Sequence, residues 1–284
     1  MDAATEFDLP RCRQLAPVDR VTFLPTVDST NTAAIARAAC DAAAGGPLGS
    51  ELFLAGRQTA GRGRGGNAWW SAPGALAFSL LSAPVELSPQ RLPLISLAVG
   101  AGLCVAVERL LPGGQSPRDA AGSAPRPAPR LKWPNDVYLA GKKVAGVLIE
   151  APPQRPTRLV IGVGMNVNNR VADAPPDVRR RAVSLREAAA GSGPLDLTAA
   201  LIACACAIDD AVRRLQAGDA RLAGEWQERS LLTGMRVRVE RPGAEGPVEG
   251  VAESIAPDGA LLVRTAAGVR PCYAGVVTEF AGGG

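Results

Sequence analysis

The chain has 284 residues, 47% of them hydrophobic, enough for one large domain or one plus a small appendage and too many for a wholly disordered chain. Its 31 Lys+Arg against 27 Asp+Glu give a net charge of +4, too mild to argue for nucleic acid or membrane by charge alone. There is no His, which excludes His-based triads, His general bases and the commoner zinc sites.

In chain order, the opening MDAATEFDLP is acidic and has no signal-peptide core. An Ala-filled helix is predicted over Ser29–Cys40, capped by Ser29 or Thr30. Strands follow at Leu52–Ala55 and Ala75–Leu81. The apolar run from Leu92 to Val107 is shorter than the roughly 20 residues a membrane span needs. It continues through Leu111 and reads as a buried core helix. Residues 113–130 are rich in Pro, Gly and Ala and are expected to form an exposed insertion. Short strands are expected at Val137–Leu139, Val144–Glu150 and Leu159–Val163, then a polar, Pro-containing loop over 170–182. Cys204, Ile208, Ala211, Val212 and Leu215 recur at helical spacing within a helix from Leu197 to Leu215.

The composition changes near 231. From Met235 to Phe280 the pattern is that of five short strands, with Pro257-Asp258-Gly259 as a turn between two of them. The expectation is an α+β fold: a mixed β-sheet with helices on one face over residues 1–230, and a small C-terminal barrel over 231–284. The six Cys form no CxxC pair, which favours a reducing, cytoplasmic setting with free buried thiols.

Of the 31 basic residues only three are Lys, and all three fall between 132 and 143. Lys is a compact point charge and Arg a planar fork, so a site needing the former would resist a bias toward Arg. Beside this cluster, the loop from Gln58 to Trp70 packs four Gly and two Arg into Gly61–Gly66. Gly lets backbone N–H groups approach an anion, Arg forks complement phosphate or carboxylate oxygens, and Trp69 or Trp70 is placed to cover a flat ring. The spacing fits neither a P-loop nor a dinucleotide fingerprint.

Four further segments carry polar chemistry. Leu131-Lys-Trp-Pro-Asn-Asp-Val137 puts Asn135 and Asp136 at a turn, where a carboxylate can meet Mg²⁺ or a ribose hydroxyl. Lys143 enters a buried strand from Gly141 and is placed to point into a cleft, whereas Lys142 is expected to face solvent. Val160-Ile-Gly-Val-Gly-Met-Asn166 offers close approach at its Gly-x-Gly and an amide at Asn166. Asp28-Ser-Thr-Asn31 opens a helix whose free N–H groups and hydroxyls suit a small polar head group.

In this order and spacing, Ser29-Thr30-Asn31, the GRGRGG loop, KWPND, KKVAGVLIE and GVGMNVN resemble the biotin protein ligases. The resemblance implies a class II synthetase-like catalytic domain with an SH3-like C-terminal domain. It also implies a reaction that joins biotin to ATP as biotinyl-5′-adenylate, with Mg²⁺, and then passes biotin to one lysine of a carboxylase carrier domain. By the same resemblance, Ser29, Thr30, Asn31, Gln58, Arg62, Gly63, Arg64 and Lys143 contact biotin. Trp69, Asn135, Asp136 and Asn166 contact ATP, with Asp136 a candidate metal ligand, and Lys143, Arg62 and Arg64 are catalytic. An enzyme of this kind needs no nucleophile of its own, so the absence of His is no objection.

The chain departs from the family pattern in places. Gly65 and Asn67 replace two loop cations, and Val276 and Phe280 replace charged residues expected in the last strand. Only 28 residues precede Ser29, too few for a winged helix-turn-helix, so no DNA partner is expected. An exposed sheet face or edge leaves a homodimer open. Two rivals remain at this point: a lipoate or octanoate ligase of the same fold, and an RNA-binding module built on the RGG-like loop.

Overall fold

The computed structural model describes residues 6–46, 48–111, 127–189, 193–241 and 246–281. In chain order, the first part carries helix α1 (Leu9–Leu15), strand β1 (Arg20–Leu24), helix α2 (Thr30–Ala44), strands β2 (Glu51–Ala55) and β3 (Ala75–Leu81), and helix α3 (Leu94–Leu110). There follow β4 (Arg130–Lys132), β5 (Asp136–Leu139), β6 (Lys142–Glu150) and β7 (Val160–Asn166), then α4 (Pro176–Arg181), α5 (Leu185–Ala188), α6 (Leu197–Gln216) and α7 (Arg221–Glu228). The chain ends with β8 (Arg236–Glu240), β9 (Val248–Ile255), β10 (Leu261–Thr265), β11 (Gly268–Cys272) and β12 (Val276–Ala281).

The first seven strands form one mixed sheet in the order β1-β2-β3-β7-β6-β5-β4, and only β1 and β2 run parallel. The last five form an antiparallel sheet in the order β11-β10-β9-β8-β12. The α+β architecture and the five C-terminal strands are thus as the sequence suggests.

Side chains alternate across a strand, and here both faces are used. Leu52, Leu54, Leu76, Phe78, Leu80, Ile161 and Met165 join the main core with the long helices α3 and α6. The alternate residues Phe53, Leu81 and Val160 join Ala34 and Ala38 of α2 in a second, smaller cluster. The long helices therefore share one face, and α2 covers part of the other. Its small Ala side chains let the helix sit close to the strands, beside an open stretch of sheet where the cleft forms.

Two expectations are corrected. The segment 170–182 is not wholly loop, because Pro176–Arg181 forms α4. Pro at its first position supplies a pre-set φ, and Arg179, Arg180 and Arg181 complement the dipole of its last turn. The thiols are all free, but Cys40 and Cys206 are exposed while Cys12, Cys104, Cys204 and Cys272 are buried. Residues 113–126 of the expected insertion lie outside the described residues. No helix among the described residues is long and apolar enough to cross a membrane.

Candidate active site

Lys143 owes its position to a tight turn and an extra residue. The turn between β5 and β6 is made by Ala140 and Gly141, both with positive φ (50° and 75°). Two such residues match the twist of a two-residue hairpin, and Gly141 adopts the conformation without strain. Past the turn, Tyr138 pairs with Lys143 and Val137 with Ala145, so Val144 is an unmatched residue. Strict alternation would have sent Lys143 to the core face with Ala145. The bulge instead places it on the opposite face, with Asp136 and Gly146, while Val144 is fully buried in the core. There Lys143 Nζ lies 2.6 Å from Asp136 Oδ1.

The floor beneath this ammonium is made of glycine. A Cβ on Gly146 would stand 3.0 Å from Lys143 Nζ, one on Gly164 would stand 2.2 Å from the Trp69 ring, and one on Gly162 would stand 2.0 Å from Asn31 Oδ1. Each glycine thus marks a point where another group lies directly on the sheet. Lys143 Nζ is 5.7 Å from the centre of the Trp69 ring. The indole N–H of Trp69 is buried and meets no acceptor.

The glycine-rich loop closes over this floor as a short hairpin. Arg62 bridges to Ala68, Trp69 N–H donates to Gly61 O at 2.9 Å, and Gly63 N–H donates to Asn67 O at 2.7 Å. Gly65 and Gly66 take positive φ in a single 3-10 turn. Asn67, at one of the positions where a cation was expected, donates its side-chain amide to Arg64 O at 2.8 Å and so closes the loop on itself.

One end of the cleft is a polar network. Gln58 Oε1 accepts from Thr30 N–H at 2.8 Å and lies 3.1 Å from Thr30 Oγ1. Ser79 Oγ lies 2.7 Å from Thr30 Oγ1 and donates to Asn31 Oδ1 at 2.6 Å. The Asn31 amide donates to Glu150 Oε2 at 2.7 Å and approaches Leu148 O at 3.4 Å. Arg62 also donates to Glu150 Oε2, at 2.6 Å. Ser29 caps α2 by position but makes no side-chain capping bond.

The C-terminal part of the chain holds two of the nearby cations. Arg64 Nη1 donates to Gly275 O at 2.8 Å, and Lys132 Nζ donates to Val277 O at 3.1 Å. Lys132 also stands 5.2 Å from the Phe280 ring, which packs edge-on against Tyr138. Burial lowers the pKa of Lys132; Asp136 draws it up, and Lys143 and Arg181 push it further down. Burial likewise lowers the pKa of Arg64, against the pull of Asp136. Phe280 thus serves as an apolar shelf for Lys132, whereas Val276 is exposed.

Residues from these segments line one cleft that is open to solvent. Ser29, Thr30, Asn31, Gln58, Arg62, Gly63, Arg64, Trp69, Asn135 and Lys143 all border it. Arg64 and Lys143, from distant parts of the chain, therefore share a cavity. Asp136 reaches it through its ion pair with Lys143. Asn135 donates to Val147 O at 2.7 Å, tying the KWPND turn to β6. Asn166 does not border the cleft: it is buried, and its Oδ1 accepts from Asn169 at 3.0 Å. Lys142 is exposed, as expected. Ser79 and Glu150 were not singled out by the sequence. A Ser inside an apolar strand, ALAFSLL, was the available signal for the first.

The arrangement can receive a carboxylate and a phosphate between Lys143 and the two loop arginines, and a flat ring against Trp69. Comparison with known proteins gives the family. Residues 25–166 match the biotin/lipoate A/B protein ligase family, and residues 233–278 match the biotin protein ligase C-terminal domain. The chain is 32% identical over 243 residues to the biotin--[acetyl-CoA-carboxylase] ligase of Mycobacterium tuberculosis, covering 83% of this chain and 79% of that one. It is 28% identical to the bifunctional ligase/repressor BirA of Bacillus subtilis, over 78% of this chain and 64% of that protein.

Among solved structures, the biotin protein ligase of Aquifex aeolicus in complex with biotin and ATP superposes with a TM-score of 0.70 at 28% identity, covering 93% of this chain and 98% of that one. The Leishmania major biotin protein ligase in complex with biotinyl-5-AMP gives 0.57 at 29% identity, over 89% and 98%. The cleft geometry, the two matched segments and these likenesses lead to one conclusion: the chain belongs to the biotin/lipoate protein ligase family, as one of its biotin protein ligases.

Proposed function

We propose that this cleft joins biotin to ATP as biotinyl-5′-adenylate and then delivers biotin to a lysine on the biotin carboxyl carrier domain of a carboxylase. In the first step a biotin carboxylate oxygen bonds to the α-phosphorus of ATP, and the bond to the β-phosphate oxygen breaks, releasing pyrophosphate. Two anions are brought together and charge grows on the phosphoryl oxygens, so fixed cations are the main requirement. Lys143 supplies one over a glycine floor that allows close approach. Arg62 and Arg64 supply two more from the loop. In the second step a carrier lysine amine attacks the mixed anhydride and AMP leaves. The closed loop keeps water from doing the same.

Ser29, Thr30, Asn31 and Gln58 hold the biotin head group in this reading, and Trp69, Asn135 and Asp136 lie toward the nucleotide. Asn166 acts at most behind the cleft wall, since it does not border it. No cluster of three metal-ligating residues occurs among the described residues. A single carboxylate beside the phosphate side, Asp136, suits a Mg²⁺ held mainly by ATP phosphates. Such an ion would shield phosphate charge. Residues 1–230 act as the catalytic domain and 231–284 as an SH3-like domain that holds the cleft residue Arg64 through Gly275 O. Six free thiols support a reducing compartment.

The observation that carries the reading is the convergence of Lys143, Arg62, Arg64 and Trp69 with the Thr30–Asn31 helix start on one cleft. The test is incubation with labelled biotin, ATP, Mg²⁺ and a purified carrier domain. ATP-dependent label on a single carrier lysine is expected. Transfer of lipoate with biotin inert, or RNA affinity with neither transfer, would replace the reading.

A further inference from the structure

The polar end of the cleft contains a proton count that fixes its hydrogen-bonding sense. Four oxygens, Gln58 Oε1, Thr30 Oγ1, Ser79 Oγ and Asn31 Oδ1, make three successive contacts of 3.1, 2.7 and 2.6 Å. Only two of them, the hydroxyls of Thr30 and Ser79, carry a proton, so one contact has none. The Asn31 amide is oriented independently. Its N–H groups face Leu148 O and Glu150 Oε2, an oxygen that also accepts from Arg62, so Oδ1 must face Ser79.

The shortest contact, Ser79 to Asn31, then takes the Ser79 proton, and the next, Thr30 to Ser79, takes the Thr30 proton. The bare contact is the longest one, to Gln58, whose oxygen is already served by the Thr30 backbone N–H. The side-chain donors of Thr30, Ser79 and Asn31 therefore all point from Thr30 toward Glu150. Ser79 is completely buried between the sheet and α2, and it makes no contact with the cleft itself.

We infer that Ser79 is a positioning residue that turns the Thr30 hydroxyl inward, leaving its lone pairs as an acceptor for a ligand N–H at this end of the cleft. This rests on the function proposed above and adds what selects the ligand. A cyclic urea carries N–H groups for that acceptor, whereas a dithiolane ring carries none. With Ser79 removed, the Thr30 proton is free to turn to Gln58 or into the cleft, and the acceptor is no longer presented.

The test is calorimetric titration of the full chain with biotin and, separately, with ATP. For Ser79→Ala, biotin affinity is expected to fall about tenfold, the worth of one well-placed hydrogen bond, with ATP affinity within twofold of wild type. Ser79→Cys keeps the side chain's branching, with a larger sulfur that is a poor hydrogen-bonding group, and is expected to share the loss. If Cys restores wild-type affinity, Ser79 acts by packing and the relay is wrong. Unchanged biotin affinity in Ser79→Ala also overturns it. Failure of the wild-type chain to bind biotin overturns the proposed function instead, and the two results are told apart by that first titration.

Discussion

At the scale of single residues, the site depends on few charges held close together. Lys143 stands on the glycine floor with Asp136 as its sole ion-pair partner among the described residues. Lys143→Ala should leave the fold intact and reduce biotin-dependent ATP–pyrophosphate exchange by about 10²–10³-fold, the usual cost of removing a preorganised charge-stabilising group. Full exchange activity would remove the lysine from the reaction. Arg64 has a different part: it reaches from the loop to Gly275 O and helps keep the loop down. Arg64→Gly should let the adenylate escape. The readout is biotin label on lysines of a bystander protein, and adenylate retention equal to wild type would contradict the role given to this side chain.

At the scale of elements, β7 and β6 matter for what they lack. The stretch Gly162–Gly164 offers bare backbone to α2 and to the loop. Gly164→Ala places a methyl where the Trp69 ring lies, at 2.2 Å. The ring must move, so ATP affinity should fall at least about tenfold with little change in melting temperature. A titration in which ATP affinity holds would show that Trp69 does not border the nucleotide.

Much at this scale was legible in the sequence. The Ala pattern of α2, the apolar α3 and the period of α6 each announce a buried face. The motif residues stand out because glycine, arginine and lysine are placed against the local composition. The remainder depends on contacts distant in the chain. Glu150 is 88 residues from Arg62, and Ser79 is 48 from Asn31. Asn166 reads like a cleft amide, yet it lies behind the wall, because a strand's alternation does not say where a ligand stops. Residues 170–182 read as loop because prolines break helices more often than they start one.

At the scale of the whole molecule, one apolar cluster runs through both sheets, joining Leu94 and Leu97 of α3 to Val237, Leu261 and Val277 of the C-terminal strands. Polar ties also cross the fold. Arg158, fully buried, donates to Asp41 Oδ2 at 3.0 Å, to Ser82 O at 2.8 Å and to Gly49 O at 2.6 Å, binding α2 to the sheet. Burial alone would push the Asp41 carboxyl up. The hydrogen bonds from Arg158 and Arg37 outweigh it and hold the pKa below the usual value.

A carboxyl depressed in the folded state contributes stability above its unfolded pKa of about 3.9, and the contribution disappears as pH falls through the lower folded value. Urea melts at pH 7 and pH 3 should therefore differ more for wild type than for Asp41→Asn. Arg158→Ala should cost about 3–5 kcal/mol at neutral pH, because it breaks a buried ion pair, leaves Ser82 O and Gly49 O without that donor, and leaves Asp41 with only the partly exposed Arg37. A loss below 1 kcal/mol would mean that the pair adds little to the fold.

The unmatched Val144 has a consequence for how such a chain can vary. The side to which the neighbouring ammonium turns is decided by how many residues β6 spends between Gly141 and Ala145, not by what they are. Excising Val144 would let the ladder close evenly and still leave Lys143 opposite Tyr138, at the cost of a core methyl pair. Straightening the same strand at full length would keep every letter of the motif and turn the Lys143 ammonium toward the helices.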